Sequence, residues 1–142
     1  MKKILISLFA LALAASLSST AQEKSDSPSV AKDSRCFELR TYYAAPGKLE
    51  ELNARFRDHT NKLFVKHGME LIGYWVPMDK EKGDKLIYII AHKSRDAAKK
   101  SWQDFQDDPD WKKVRAESEA NGKLVEKMES VYMAATDYSP LK

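Results

Sequence analysis

The fold is decided by the stretch HTNKLFVKHGMELIGYW, residues His59 to Trp75, which joins a helix to a strand through Gly68. From Lys48 to His67 apolar side chains recur every three or four residues, which is typical of an amphipathic helix. Glycine commonly ends a helix in the left-handed conformation, and Met69 to Val76 is rich in strand-forming Ile, Tyr, Trp and Val. The stretch therefore predicts a helix followed at once by a strand.

Two further segments have the pattern of strands from the middle of a sheet. In RCFELRTYY, Arg35 to Tyr43, polar Glu38, Arg40 and Tyr42 alternate with Phe37, Leu39 and Thr41. Lys85 to His92 is apolar on both faces, which is typical of a central strand. His92 ends this strand on the face that carries Tyr88.

The C-terminal half begins with two helix starts in succession. Ser94 and Asp108 are N-cap residue types, and Pro109 suits the first position of the second helix. A last strand is predicted from Lys123 to Thr136. The order β-α-β-β-α-α-β predicts an α+β fold, the ferredoxin-like split βαβ, with an antiparallel sheet and its helices on one face.

A sheet covered on one face only leaves its other face bare. Several strands here are apolar on both faces, and burying one large apolar side chain is worth roughly 1.5 to 3 kcal/mol. We therefore expect a two-fold homodimer whose sheets pack face to face around a partly polar, aromatic interior.

The N-terminus has the pattern of an export signal. Lys2 and Lys3 precede an apolar run from Ile4 to Leu17, and small residues lead up to Ala21. The run is shorter than the roughly 20 apolar residues that span a bilayer. We predict a signal peptide over residues 1–21, cleaved after Ala21, a periplasmic or secreted product and no membrane anchor after cleavage. Residues 22–34 are predicted to be a disordered leader and residues 35–142 the folded domain.

Composition narrows the classes of partner. Removing Lys2 and Lys3 leaves 22 basic residues against 21 acidic ones, a formal charge of +1, with the two signs interspersed. Nothing in this distribution favours nucleic acid. The single cysteine, Cys36, allows no intramolecular disulfide.

Several motifs together resemble one family. FELRTYYAAPGK, HTNKLFVKHGMELIGYW, LIYIIAHKSRDAAKKSW, DDPDWKKV and TDYSP occur in order from Phe37 to Pro140, and over this range the chain resembles the NIPSNAP family. The resemblance implies a ferredoxin-like domain that pairs as a dimeric α/β barrel. The vesicle and autophagy partners of eukaryotic members do not transfer to a chain with an export signal. The family supplies no agreed catalytic residues.

Histidines are the first candidates for a metal site. His59 and His67 lie eight residues apart on one helix, about 12 Å along its axis, so they cannot share an ion directly. His59 falls on the apolar stripe, where a partly buried, hydrogen-bonded histidine is the simpler interpretation, and His67 is simply a helix C-terminal cation. We predict no metal and no cofactor.

A ligand site is the second possibility. Glu38 and Arg40 on a central strand need partners, and they either pair with each other across the dimer or bind a polar ligand inside the barrel. His92 stands either at the mouth of that barrel or exposed at the strand end. The candidate ligand-binding residues are Glu38, Arg40, Tyr42, Tyr74, Trp75, Tyr88 and His92.

Two classes of function remain open. The first is a dimeric binding module for a small molecule or a protein. The second is an enzyme of the kind hosted by related barrels, such as a cofactor-free monooxygenase or a haem-degrading enzyme, with Arg40, Trp75, Tyr88 and His92 around an aromatic substrate. Only fold analogy supports the second, which requires a pocket with convergent polar groups.

Overall fold

The computed structural model describes residues 27–142, so the predicted signal peptide lies outside the described residues. The strands are β1 (Cys36–Ala44), β2 (Glu70–Trp75), β3 (Lys85–His92) and β4 (Val125–Ala134), and the helices are α1 (Leu49–Arg55), α2 (Asn61–Lys66), α3 (Arg95–Asp107) and α4 (Pro109–Ser118). A π-helical turn, Phe56–Thr60, joins α1 to α2, and a 3₁₀ turn, Lys80–Lys82, lies in the β2–β3 loop.

The four strands form one antiparallel sheet in the order β2-β3-β1-β4. The predicted α+β, ferredoxin-like arrangement is confirmed, and β1 and β3 are the two central strands as expected. Arg40 lies opposite Tyr88 on β3 and opposite Ser130 on β4, and Glu38 lies opposite Ile90 and Tyr132. This register fixes which side chains share a face.

The helices cover one face of the sheet and enclose the main core there. Ten buried apolar side chains form this core: Leu52, Phe56, Leu63, Phe64, Met69, Leu86, Tyr88, Ile90, Phe105 and Leu124. Its centre is aromatic, with Phe56 at ring-centroid distances of 5.2 Å from Tyr88 and 6.0 Å from Phe64. Edge-to-face and tilted contacts of this kind add to the free energy gained from burial.

The opposite face carries apolar side chains that no helix of the described residues covers. Its members are Phe37, Leu39, Ile72, Trp75, Ile87, Ile89, Val131 and Met133. The C-terminal segment packs over one end of this face and leaves a pocket of about 270 Å³ lined by Phe37, Met133 and Leu141, among others. The sequence expectation of a bare, apolar face is therefore met in the single chain.

The first helical region departs from the predicted uninterrupted helix. Asn61 N–H donates to the carbonyl of Phe56, five residues back, and Thr60 Oγ1 donates to the carbonyl of Arg55 over 3.2 Å. At this turn Thr60 is buried and His59 is exposed. The expectation of a partly buried His59 is therefore wrong, because the wider π turn shifts the side chains that follow Phe56 around the helix axis and leaves His59 in solvent.

Helix caps set the path between α3 and α4. Ser94 Oγ accepts from the Ala97 N–H over 3.1 Å, and Asp108 Oδ1 accepts from the Asp110 N–H over 2.8 Å. Pro109 takes the first position of α4, where a missing N–H costs nothing. Both predicted helix starts are confirmed.

Ordered structure begins before Arg35, the predicted start. Ala31 is buried, its N–H donates to the carbonyl of Ala135 over 2.9 Å, and Val30 forms an isolated bridge with Thr136. A disordered leader is predicted from side-chain composition, and composition gives no information about backbone hydrogen bonds of this kind. Residues 22–26 of the leader lie outside the described residues.

Within residues 27–142, none of the helices has the length and apolar content needed to cross a membrane.

Candidate functional site

The sheet register separates the seven predicted ligand-binding residues into two groups. Six face the helices: Glu38, Arg40, Tyr42, Tyr74, Tyr88 and His92. Trp75 lies on the opposite face with half of its surface exposed. The predicted set therefore does not line one cavity, and the polar members lie on the helix side instead of inside a barrel formed by two sheets.

The centre of the helix-side group is the fully buried carboxylate of Glu38. It accepts four hydrogen bonds, two on each oxygen. Oε1 accepts from Arg40 Nη1 at 2.8 Å and from Ser130 Oγ at 2.7 Å, and Oε2 accepts from Trp102 Nε1 at 2.7 Å and from His92 Nε2 at 3.1 Å. Glu38 and Arg40 thus pair within one chain, not across a dimer.

These bonds keep Glu38 ionised. Burial alone would raise the pKa of the carboxyl, but hydrogen bonds from His92, Ser130 and Trp102, together with the charge of Arg40, outweigh it and lower the pKa to about 2. Both oxygens already accept two hydrogen bonds, so the carboxylate is poorly placed to take a proton from a substrate. Its effect is to hold Arg40 and Trp102 in place.

Arg40 forms a flat surface with Trp102. Its guanidinium carbon lies 4.0 Å from the centre of the indole ring, and its Nη2 donates to the Tyr42 hydroxyl over 3.4 Å. The Nε–H of Arg40 is buried and has no hydrogen-bond partner within residues 27–142. Leaving a buried donor unpaired costs about 1 to 3 kcal/mol, so an acceptor that reached this atom would stabilise the arrangement.

A second arginine, at the end of α1, repeats this arrangement. The guanidinium carbon of Arg55 lies 5.3 Å from the ring centre of Trp111, and Nη1 donates to Glu119 Oε1 over 3.1 Å and to Ser118 Oγ over 3.4 Å. Its Nε is also buried and unpartnered among the described residues.

Both arginine–tryptophan pairs line the same cleft, an open space of about 730 Å³ between the α3–α4 pair and the β1–β4 edge of the sheet. Phe105 joins the two pairs, with ring-centroid distances of 5.7 Å to Trp102 and 4.5 Å to Trp111. The rim is charged and carries Lys112, Arg115, Glu119, Lys123 and Glu126. Such a cleft combines an aromatic wall with fixed cationic groups.

The remaining predicted residues belong to the interior. Tyr88 is completely buried and stacks on Tyr74 at 5.4 Å, and neither hydroxyl has a hydrogen-bond partner in the described part of the chain. Burial raises the pKa of Tyr74 to about 12. His92 is buried beside Glu38 and is not the exposed strand-end histidine weighed from the sequence.

Sequence reasoning missed Arg55, Trp102, Trp111 and Ser130 as parts of the site. The helical spacing of Trp102 and Trp111 predicts core positions for both, yet both are half-buried and line the cleft. Arg55 follows Leu52 by three residues on the apolar side of its helix, and a charged residue there was a usable signal.

Within residues 27–142, the histidine, cysteine and carboxylate side chains form no group of three or more that could hold a metal ion. His59 is exposed, and His67 Nε2 lies 2.6 Å from Asp108 Oδ2, at the junction of α2 and α4.

Solved structures share this fold. A NIPSNAP family protein of unknown function from Agrobacterium tumefaciens is 22% identical with a TM-score of 0.70, over 80% of this chain and 98% of that one. A second from the same organism is 24% identical with a TM-score of 0.66, over 75% and 98%. A candidate antibiotic biosynthesis monooxygenase from Nitrosomonas europaea is 12% identical with a TM-score of 0.50, over 70% and 97%.

Identities this low show the fold alone. A comparison with curated protein sequences finds no significant match. The NIPSNAP family model matches residues 37–140, which is most of the chain. The chain therefore belongs to the NIPSNAP family.

Proposed function

We propose that this protein is an exported, homodimeric binding module that holds a small molecule in the cleft between the α3–α4 pair and β4. The observation that carries the proposal is the saturated carboxylate of Glu38, which fixes Arg40 and Trp102 along the wall of that cleft. Binding sites are commonly concave, largely apolar and preformed, with a few fixed polar groups. The cleft is concave and has an aromatic wall, and hydrogen bonds to Glu38 and Glu119 fix its two arginines, although its rim is charged.

The interior groups of the site support binding more than catalysis. Glu38 already accepts four hydrogen bonds, and His92 is buried with its Nε2 committed to Glu38. A general acid or base must reach the proton that it transfers. The alternative of a monooxygenase-like or haem-degrading enzyme also required Arg40, Trp75, Tyr88 and His92 around one substrate, but Trp75 lies on the other face and Tyr88 is inaccessible.

The binding role can be tested with a fragment set that contains neutral, anionic and cationic aromatic compounds. Protein labelled with ¹⁵N would be titrated while the indole N–H signals of Trp102, Trp111 and Trp75 are followed. We expect ligands to shift Trp102 and Trp111 and to leave Trp75 unchanged, because only the first two line the cleft. The proposal is wrong if no compound shifts the cleft signals, or if all shifts cluster on the Trp75 face.

Dimerisation through the bare face is part of the same proposal. Half-buried and exposed side chains there, including Ile87, Ile89 and Val131, would lose contact with water between two sheets. The cleft lies on the helix side, so a dimer formed through the bare face would leave it open.

Export is the remaining part and depends on the signal-like residues 1–21. The test is N-terminal sequencing of the protein from the periplasm or medium of an expressing bacterium. Cleavage after Ala21 predicts a first residue of Gln22, and an uncleaved chain retained in the cytoplasm would contradict export.

A further inference from the structure

We propose, on the basis of the binding role proposed above, that the ligand of the cleft is a planar aromatic anion, such as an aromatic carboxylate. The structure leads to this class through two features: a pair of buried arginines with unused donors, and a continuous aromatic wall between them.

The first feature is the pair of arginine Nε–H donors that have no acceptor in residues 27–142. Arg40 and Arg55 are each more than nine-tenths buried, each lines the cleft, and each has a buried Nε–H without an acceptor in residues 27–142. An oxyanion accepts from guanidinium groups with good geometry and charge, whereas a hydrocarbon leaves the donors unpaired. A ligand whose anionic oxygen reaches either guanidinium group is therefore favoured over a neutral ring.

The charge of the cleft also favours an anionic ligand. Glu119 lies between two guanidinium groups, 3.1 Å from Arg55 Nη1 and 3.4 Å from Arg115 Nε. One carboxylate between two cations leaves an excess positive charge at this end of the cleft. The partner of Arg40, Glu38, lies behind it in the sheet, fully buried, so its charge is shielded from the cleft by the arginine itself.

The aromatic wall determines the shape of the ligand. Trp102, Phe105 and Trp111 are in ring contact one after another along α3 and α4. Each arginine rests against one of the two indoles. A flat ring can lie against this wall while its anionic group reaches a guanidinium, and stacking is worth roughly 0.5 to 1.5 kcal/mol beyond burial.

The experiment compares two probes of the same size, 2-naphthoate and neutral 2-naphthalenemethanol. Binding would be measured by calorimetry and by the arginine Nε–H signals of ¹⁵N-labelled protein. We expect the anion to bind at least about tenfold more tightly, the ratio given by one charged hydrogen bond. Binding of the anion, but not of the alcohol, should weaken as salt is raised.

Variants identify the groups involved. Arg55→Gln is expected to remove most of the preference for the anion, and Arg57→Gln, an exposed arginine on the same helical region outside the cleft, is the matched control. Because Arg40→Gln would disturb Glu38, Arg40→Lys is used instead. It keeps the charge, removes Nε and is expected to lower affinity for 2-naphthoate about tenfold.

The outcomes separate the two proposals. If the alcohol binds the cleft as well as 2-naphthoate does, and Arg55→Gln behaves like Arg57→Gln, the anionic class is wrong while the binding role stands. If no neutral, anionic or cationic compound shifts the cleft signals, the binding role is wrong. The proposal of an anionic ligand is then wrong as well.

Discussion

The indole N–H of Trp102 on α3 donates a 2.7 Å hydrogen bond to Glu38 Oε2 on β1, across 64 residues of sequence. This bond links the helix layer to the centre of the sheet. Its acceptor is a buried anion, so it belongs to the stronger class of hydrogen bonds. The guanidinium of Arg40 stacks on the same indole and also donates to Glu38. The carboxylate of Glu38 therefore positions both Arg40 and Trp102 in the cleft wall.

Removal of the Trp102 donor should therefore cost more than removal of a donor from an exposed ring. Trp102→Phe keeps a ring beside Arg40 but loses the bond to Glu38, and we expect the free energy of unfolding to fall by about 2 kcal/mol. Tyr138→Phe is the control, since Tyr138 is 81% exposed, and its effect should stay within about 0.5 kcal/mol. Urea unfolding followed by circular dichroism measures both, and equal effects would contradict the assignment.

Glu38→Gln tests the charge itself. The folded pKa of about 2 lies below the ordinary value of 4.5, so the ionised form stabilises the fold above pH 4.5 and this contribution is lost as pH falls towards 2. It amounts to about 3 kcal/mol. We expect a large difference in stability between wild type and Glu38→Gln at pH 7 and a shrinking one below pH 4.5.

The control for this pH dependence is Glu81→Gln, which changes an exposed carboxyl in the β2–β3 loop. Its stability should follow that of the wild type from pH 7 to pH 3. A difference between Glu38→Gln and wild type that stays constant over this range would mean that Glu38 is not held ionised by its neighbours.

Most of the fold could be predicted from sequence, because alternation along β1 and β3 and the caps at Ser94 and Asp108 are local signals. The predicted bounds of β3, Lys85–His92, match the structure. The π turn at Phe56–Thr60 could not be predicted, since the side chains there fit an ordinary helix almost as well. One extra residue in a turn was enough to expose His59.

The site was harder to predict because it depends on distant contacts. The alternation of β1 placed Glu38, Arg40 and Tyr42 together, but not on the helix side, since either face of a central strand can be the covered one. Arg40 meets Trp102, and Arg55 meets Trp111, only when α3 and α4 pack against the sheet and α1. No spacing in the sequence specifies such pairs.

Asp108 lies at the junction of three helices, and we expect its substitution to destabilise the protein. Its side chain caps α4 and also accepts from His67 Nε2 at 2.6 Å and from Lys66 Nζ at 2.8 Å. Hydrogen bonds from Lys66 and His67 hold the pKa of this carboxyl well below its usual range. Asp108→Ala should lower the melting temperature clearly at pH 7.

The neighbouring Asp107 is the matched control for Asp108. It is exposed, and its nearest ion partner, Lys112 Nζ, is 3.7 Å away. Asp107→Ala should leave the melting temperature nearly unchanged. The stabilisation from Asp108 requires its ionised form, so it should persist at neutral pH and decline in strong acid. Similar melting temperatures for the two variants would show that the interhelical bonds contribute little.

The proposed dimer gives the last prediction, and two valines provide a matched pair for it. Val131 on β4 is 54% exposed on the bare face of the sheet, and Val65 on α2 is 59% exposed on the helix side. A buried unpaired carboxylate opposes association, so Val131→Glu should convert the dimer to a monomer at micromolar concentration in light scattering. Val65→Glu should remain dimeric, because a helix-side charge stays in water. A wild-type protein that is already monomeric, or equal effects of the two substitutions, would overturn the face-to-face dimer.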